Sequence, residues 1–241
     1  MTQAVLLTAA VRPDPRFKVA LADPDTRLHQ YVESIREWLR FGDQTGARVV
    51  VVETSRSAGL LDGVPALRQL QVIEFESSDL MAERGKGAVE AGAIDHALTD
   101  LASKGVRTIT KVTGRLGIVD APRTLPPLAP NSVMVRRTLD RRFVDTRLIH
   151  ASVDVWTASL HNMAAEVNEP AGTYLEHVVG LRLVRAEFER GTGVLRFPQR
   201  PRFRGQSGTM GSRYNRVDSA IRVAVMERAE RLIVRMATKQ I

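Results

Sequence analysis

Residues 48–53 read Arg-Val-Val-Val-Val-Glu, an unbroken β-branched run with no polar alternation. A strand with one wet face alternates apolar and polar residues, whereas a run of this kind fits a strand covered on both faces in a parallel sheet. A parallel neighbour requires a crossover, and the preceding residues supply one. From Asp25 to Arg40 the apolar residues Leu28, Tyr31, Val32, Ile35, Trp38 and Leu39 fall at three- and four-residue steps, the period of a helix with one buried face. Asp25 is positioned as a cap, and Gly42 and Gly46 mark the stop. Upstream, Val5–Ala9 is an apolar strand followed by the Pro-rich stretch 12–15. The chain therefore opens strand–helix–strand, which right-handed crossover turns into an α/β sheet.

The same alternation continues. Val72–Phe75 and Val106–Val112 read as strands flanking a helix from Lys86 to Ser103. A loop with four prolines spans 120–130. Ser132–Val135 and Leu148–Val155 are strand candidates, and helices are expected over 156–167, 173–190 and 217–238. Residues 196–216 read as an irregular, basic, Gly-containing loop. With no internal repeat or low-complexity linker, the 241 residues are expected to form a single domain, 1–120 its nucleotide-binding half and 121–241 its acceptor and lid half.

Composition narrows the chemistry. There are no cysteines, so disulfides, thiolate metal sites and cysteine nucleophiles are excluded. No apolar run approaches the roughly 20 residues that span a bilayer. The first residues lack the basic start of a signal peptide, so a cytoplasmic location is expected. The net charge of +8 is uneven: residues 1–120 carry 15 Lys/Arg against 16 Asp/Glu, and residues 121–241 carry 20 against 11. A basic half implies anionic partners such as phosphorylated small molecules, anionic lipid or nucleic acid. Aromatic residues are only 5% of the chain, which leaves few stacking platforms for nucleic acid.

In open α/β sheets, ligands bind beyond the carboxyl ends of the strands. Thr8, the triplet Glu53-Thr54-Ser55, the turn Gly85-Lys86-Gly87 and the segment Lys111-Val-Thr-Gly-Arg115 all map to such ends or to the helix start facing them. The Gly-Lys-Gly turn opens a helix, whose free N–H groups suit an anion. The segment 200–213 combines Arg200, Arg202, Arg204 and Arg213 with glycines, Ser207 and Thr209, a composition fitted to a mobile lid closing on a diphosphate. The five histidines show no paired metal-ligand spacing, and Asp23-Pro-Asp25 comes too early in the chain to act as a metal-binding Asp-x-Asp. No metal ligand is assigned.

In their order, LLTAAV at 6–11, Asp25-x-Arg27 with Tyr31, VVETS at 51–55, GKGAVEAGAIDHAL at 85–98, ITKVTGR at 109–115 and SGTMG at 207–211 resemble bacterial glycosyltransferases of the capsule and O-antigen polysaccharide type. That resemblance implies a GT-A-like, Rossmann-related fold: a mixed, mainly parallel sheet flanked by helices, with a helical C-terminus. It also implies a nucleotide-sugar donor, a saccharide or lipid-linked acceptor and work at the inner face of an anionic membrane. It places nucleotide contacts at Thr8, Glu53, Thr54 and Ser55, with Lys86 and Glu90 flanking the donor. Lys111, Thr113 and Arg115 fall where better-known relatives carry their acidic metal motif, which leaves a divalent metal uncertain. Arg204, Ser207 and Thr209 complete the donor set. Glu176 is the candidate catalytic base and Asp154 the second candidate. The alternative reading is a non-enzymatic nucleic-acid- or nucleotide-binding protein using the basic half.

Overall fold

The structure, a computed structural model, describes residues 2–17, 19–67 and 70–206. The helix expected over 217–238 lies outside the described residues, as do Ser207, Thr209 and Arg213. In chain order the first half comprises β1 (Gln3–Ala9), α1 (Pro24–Thr45), β2 (Arg48–Glu53), α2 (Ala58–Asp62), β3 (Gln71–Glu74), α3 (Asp79–Glu83), α4 (Lys86–Ser103), β4 (Thr108–Thr113) and β5 (Gly117–Ile118). The rest comprises α5 (Ala121–Thr124), β6 (Ser132–Met134), β7 (Leu148–Ser152), α6 (Val153–Ala158), α7 (Leu175–Arg190), β8 (Gly193–Leu195) and β9 (Phe203–Arg204).

Seven strands form one sheet in the order β3-β2-β1-β4-β7-β6-β8, and β5 pairs with β9 in a small second sheet. β1 runs parallel to both β2 and β4, and β2 parallel to β3. β7 is antiparallel to β4 and to β6, and β8 is parallel to β6. One reversed strand therefore sits inside an otherwise parallel sheet, the mixed, mainly parallel α/β architecture expected of a GT-A-like fold.

The valine run behaves as its composition demands. Val50 and Val52 pack with Ala88, Ala91 and Ile94 of α4 on one face of the sheet. Val49 and Val51 pack with Tyr31, Ile35 and Trp38 of α1 on the other. Each Val side chain buried this way contributes on the order of 1.5–3 kcal/mol. The two tryptophans anchor opposite faces, and each satisfies its indole N–H on backbone: Trp38 Nε1 donates to Leu116 O at 2.9 Å and Trp156 Nε1 to Ile109 O at 3.2 Å.

Several boundaries differ from the sequence expectation for local reasons. α1 is capped by Asp23, not Asp25: its Oδ2 accepts from Thr26 N at 2.8 Å, and Pro24 occupies the first turn. The helix runs through Gly42 and ends at Gly46, which takes the left-handed conformation. The expected helix over 156–167 is instead α6 followed by a 3₁₀ turn at Met163–Ala165. β5, β8 and β9 carry no local sequence signal, being two or three residues long and held by partners distant in sequence.

One buried titratable group in the sheet gives a stability prediction. His150 of β7 is fully buried; Thr110 Oγ1 lies 2.8 Å from its Nδ1 and Pro126 O lies 2.9 Å from its Nε2. Burial drives its pKa from the ordinary 6.5 down to about 4. The fold thus holds the neutral ring, with Nε2–H donating to Pro126 and Nδ1 accepting the Thr110 hydroxyl. The unfolded chain takes up a proton below pH 6.5 and the folded chain does not, so stability is full above that pH and falls as pH drops toward 4. The loss is about 3 kcal/mol. Chemical denaturation across this range is expected to show the decline in the native protein, and His150→Gln is expected to remove about one proton's worth of slope.

Candidate functional site

A cleft of about 230 Å³ opens at the carboxyl edge of the parallel strands. Thr8 at the end of β1, Thr54 just after β2 and Thr113 at the end of β4 line it. Thr146 and Arg147 reach the same edge because β7 runs the opposite way and begins there. Lys86 and Glu90 of α4, Glu176 of α7, and Arg27 and Tyr31 of α1 close the sides, with Arg115 and Gln206.

Beneath one wall lies a buried ion pair. Lys111 is in the middle of β4, its side chain fully buried on the α4 face; its Nζ lies 2.6 Å from Glu90 Oε1 and donates to Thr146 O at 2.6 Å. Thr8 Oγ1 donates to the same Glu90 oxygen at 2.8 Å. Burial by itself would raise the Glu90 carboxyl, but the Lys111 ammonium and the hydrogen bonds from Lys111 and Thr8 outweigh it and hold the group below the ordinary carboxylate range. Glu90 is therefore charged at neutral pH and its charge is matched from within. Lys111 was expected to contact the donor; its ammonium is instead committed to the wall.

The opposite wall is cationic. Arg27 and Arg115 both pack on the Tyr31 ring, each guanidinium carbon 5.8 Å from the centroid. Arg27 donates to Ala10 O through Nε at 2.7 Å and Nη2 at 2.5 Å, and to Leu21 O through Nη1 at 3.0 Å, which ties down the loop after β1. Burial lowers its pKa from 12.5. Arg115 turns into the cleft because Gly114 has no side chain: a Cβ there would meet Thr8 O at 2.7 Å and Tyr31 Cε1 at 3.1 Å. Among the described residues, no carboxylate lies within ion-pair distance of Arg27 or Arg115.

Other expected residues have structural partners. Glu53 is fully buried, and its carboxylate accepts from Val11 N, Ser55 N, Ser57 N and Ser55 Oγ at 2.5–3.0 Å. It joins the loop after β1 to the loop after β2, and neither Glu53 nor Ser55 lines the cleft. The N-terminus of α4 already holds an anion: Glu169 Oε1 accepts from Gly87 N at 2.8 Å. A Cβ at Gly85 would come within 2.5 Å of the Glu169 carboxylate, which accounts for the glycines around Lys86. Arg204 lies in β9, paired with Gly117 in β5, and its Nη1 sits 3.1 Å from Glu37 Oε1. The first part of the expected lid is thus a strand, and Arg204 is turned onto α1. Ser207 and Thr209 lie outside the described residues.

The two candidate bases separate. Glu176, in the first turn of α7, lines the cleft, and its Oε1 accepts from Thr146 Oγ1 at 3.0 Å. Asp154 stands beside Thr2, Arg107 and Thr108 at the other edge of the sheet, in a different cavity. The reason is the reversal of β7: the residues that follow it emerge at the edge where β1 and β4 begin. Thr146 and Arg147 were not legible as site residues, because their placement depends on that reversal, whereas Gln206 falls within the segment 200–213 expected to reach the site. Arg27 carried a signal, a charged residue four before Tyr31 on the apolar face of an amphipathic helix.

No protein-family model matches the chain, and no curated protein matches it. Among solved structures it is similar to galactosyltransferase LgtC in complex with donor and acceptor sugar analogues, at a TM-score of 0.50 and 10% identity over 80% of this chain and 72% of that one. It is also similar to a protein assigned as a nucleotide-diphospho-sugar transferase from Desulfovibrio desulfuricans G20, at a TM-score of 0.49 and 13% identity over 82% of this chain and 80% of that one. The likeness to LgtC is one of fold.

Removing one partner of a buried pair strands the other, which costs about 3–5 kcal/mol. Lys111→Met is therefore expected to lower Tm by roughly 6–20 °C. Adding Glu90→Gln should recover part of the loss, because the neutral amide no longer needs a cation. Equal Tm values for the single and double variants would show that the pair is not coupled.

Proposed function

We propose that this chain is a glycosyltransferase that binds a nucleoside-diphospho-sugar in the cleft and transfers the sugar to a saccharide or lipid-linked acceptor. The observation that carries this reading is the placement of two carboxylate-free guanidinium groups and a carboxylate, Glu176, around one cleft at the carboxyl edge of the sheet. The fold shared with LgtC, which was solved with donor and acceptor sugar analogues, supports it. Thr8, Thr54 and Thr113 line the strand-end side where the nucleotide would lie, and Lys86 and Arg115 face its diphosphate.

In the proposed reaction an acceptor hydroxyl oxygen attacks the anomeric carbon. The bond from that carbon to the diphosphate oxygen breaks, and its electron pair leaves on the diphosphate. Glu176 takes the hydroxyl proton. Its Oε1 is held by Thr146, while Oε2 makes no hydrogen bond among the described residues. Arg115, Arg27 and Lys86 offset the charge developing on the leaving group. The surroundings we favour are the cytoplasmic face of a bacterial membrane and the synthesis of surface polysaccharide. Among the described residues, no helix is long and apolar enough to cross a membrane.

The nucleic-acid alternative finds less support. Much of the basic second half is paired internally: Arg136 and Arg147 with Asp145, Arg137 and Arg141 with Glu187, and Arg182 with Glu166.

The test is a nucleotide-sugar panel, read first by thermal shift and then by nucleoside diphosphate release with an acceptor mixture. Glu176→Gln is expected to bind donor as the native protein does and to lose about 10²–10⁴-fold in turnover. Asp154→Asn, at the far edge, should leave turnover unchanged. Native turnover in Glu176→Gln would remove Glu176 as the base, and a panel without binding would remove the function.

A further inference from the structure

We propose that the cleft seats the diphosphate on the free edge of the Arg115 guanidinium, with no divalent cation bridging it to the protein; this rests on the nucleotide-sugar reading above. A bridging cation needs carboxylate or other oxygen ligands on the protein side. At the end of β4 the chain offers Thr113, and just past it Gly114 and Arg115. Among the described residues, no group of three or more histidine, aspartate or glutamate side chains is placed to hold a metal ion. Of the two carboxylates that line the cleft, Glu90 already shares one oxygen between Lys111 and Thr8, which leaves Glu176 as a single carboxylate. The residues present do not fit a cation, and the two guanidinium groups on Tyr31 would repel one.

They do fit an oxyanion. Arg115 is only 7% exposed, yet it faces the cleft. Its Nη1 is tethered, to Gln30 Oε1 at 3.3 Å and to Gln206 O at 3.5 Å. Its Nε is buried with no hydrogen-bond partner, and among the described residues its Nη2 has none either. Nε–H and Nη2–H project from the same edge of the guanidinium plane, a fork matched to two oxygens of one phosphate. A buried donor left without a partner is costly, and a phosphate oxygen would supply the partner that Nε lacks. Arg27, on the other side of the Tyr31 ring, has Nε, Nη1 and Nη2 all donating, to Ala10 O, Leu21 O and the Tyr31 hydroxyl. It contributes charge, while Arg115 contributes the bonds. Gln30 acts as a positioning residue that holds Nη1 and leaves Nε and Nη2 without a partner among the described residues.

The experiment is calorimetric titration of the full chain with inorganic pyrophosphate and with a set of nucleoside diphosphates, in EDTA and in excess Mg²⁺. Pyrophosphate and at least one nucleoside diphosphate are expected to bind in EDTA within about threefold of their affinity in Mg²⁺, because the fork and not a cation holds them. Arg115→Lys keeps the charge and removes the fork, so it should weaken binding in EDTA by about tenfold or more. Its fold is checked by circular dichroism and by Tm without ligand, and the native EDTA comparison stands even if that variant does not fold. Nucleoside diphosphate binding that requires Mg²⁺ would overturn the inference and leave the nucleotide-sugar reading intact. Cation-free pyrophosphate binding with no nucleoside diphosphate bound would keep the seat and remove that reading. Binding unchanged in Arg115→Lys, or no binding of either ligand, would overturn the seat.

Discussion

The buried Lys111–Glu90 pair is the interaction on which the arrangement of the cleft depends. It places an ammonium in the middle of the central sheet and answers it from α4, with Thr8 of β1 and the carbonyl of Thr146 completing the coordination. Four segments, two strands, one helix and the approach to β7, therefore meet at one charge-assisted node. A buried charge is tolerable only with such partners, so the node fixes how α4 sits against β1 and β4 and where the β7 approach ends. Without it, Thr8, Lys86, Glu90 and Thr146 would have no common reference. Whether such a pair adds net stability over an apolar substitute is a separate matter; its value here is registration.

A second carboxylate does similar work at the loops. Glu53 accepts from three backbone N–H groups and one hydroxyl, all in the loops following β1 and β2. Arg27 complements it from the helix side by binding the carbonyls of Ala10 and Leu21. Loops at a ligand-binding edge leave backbone groups unpaired by any sheet ladder, and these two side chains satisfy them. The outcome is a cross-linked rim, in which the Tyr31 hydroxyl accepts from Ala10 N at 2.9 Å and its ring carries the two guanidinium groups. Charge is thus divided across the cleft. Lys111 and Glu90 neutralise each other on the α4 side, and the α1 wall keeps its positive charge.

That division separates residues that look alike in the sequence. Lys111 and Arg115 lie four apart, one within β4 and one just past it, and both read as candidates for an anion. Strand alternation points Lys111 at α4, where a carboxylate waits, and the turn at Gly114 sends Arg115 toward Tyr31, where none does. In the same way, Gly85-Lys86-Gly87 reads as an anion-binding helix start, and it is one, but the anion is Glu169 of the same chain.

The sequence alone determined the elements whose signal is local. The valine run specified a strand buried on both faces, the three- and four-residue spacing of Leu28 to Leu39 specified α1, and α4 occupies the span its pattern marked, Lys86 to Ser103. These follow from periodicity and β-branching, which act within a few residues, and they place Thr8, Thr54, Thr113 and Arg115 at one edge once a parallel sheet is assumed. Only the tertiary structure decided which polar groups would be used up by other polar groups. Glu53, Lys111, Arg204 and the α4 N-terminus each met a partner, and for Lys111, Arg204 and the helix start that partner lies 21 to more than 160 residues away in the chain. The direction of β7 was also beyond local reading, because all five of its residues are buried and a strand covered on both faces carries no alternation to mark it as the reversed one; that direction brings Thr146 to the cleft and carries Asp154 to the far edge. Local propensity reads a single segment, whereas neutralisation of charge and strand polarity are properties of segments in contact.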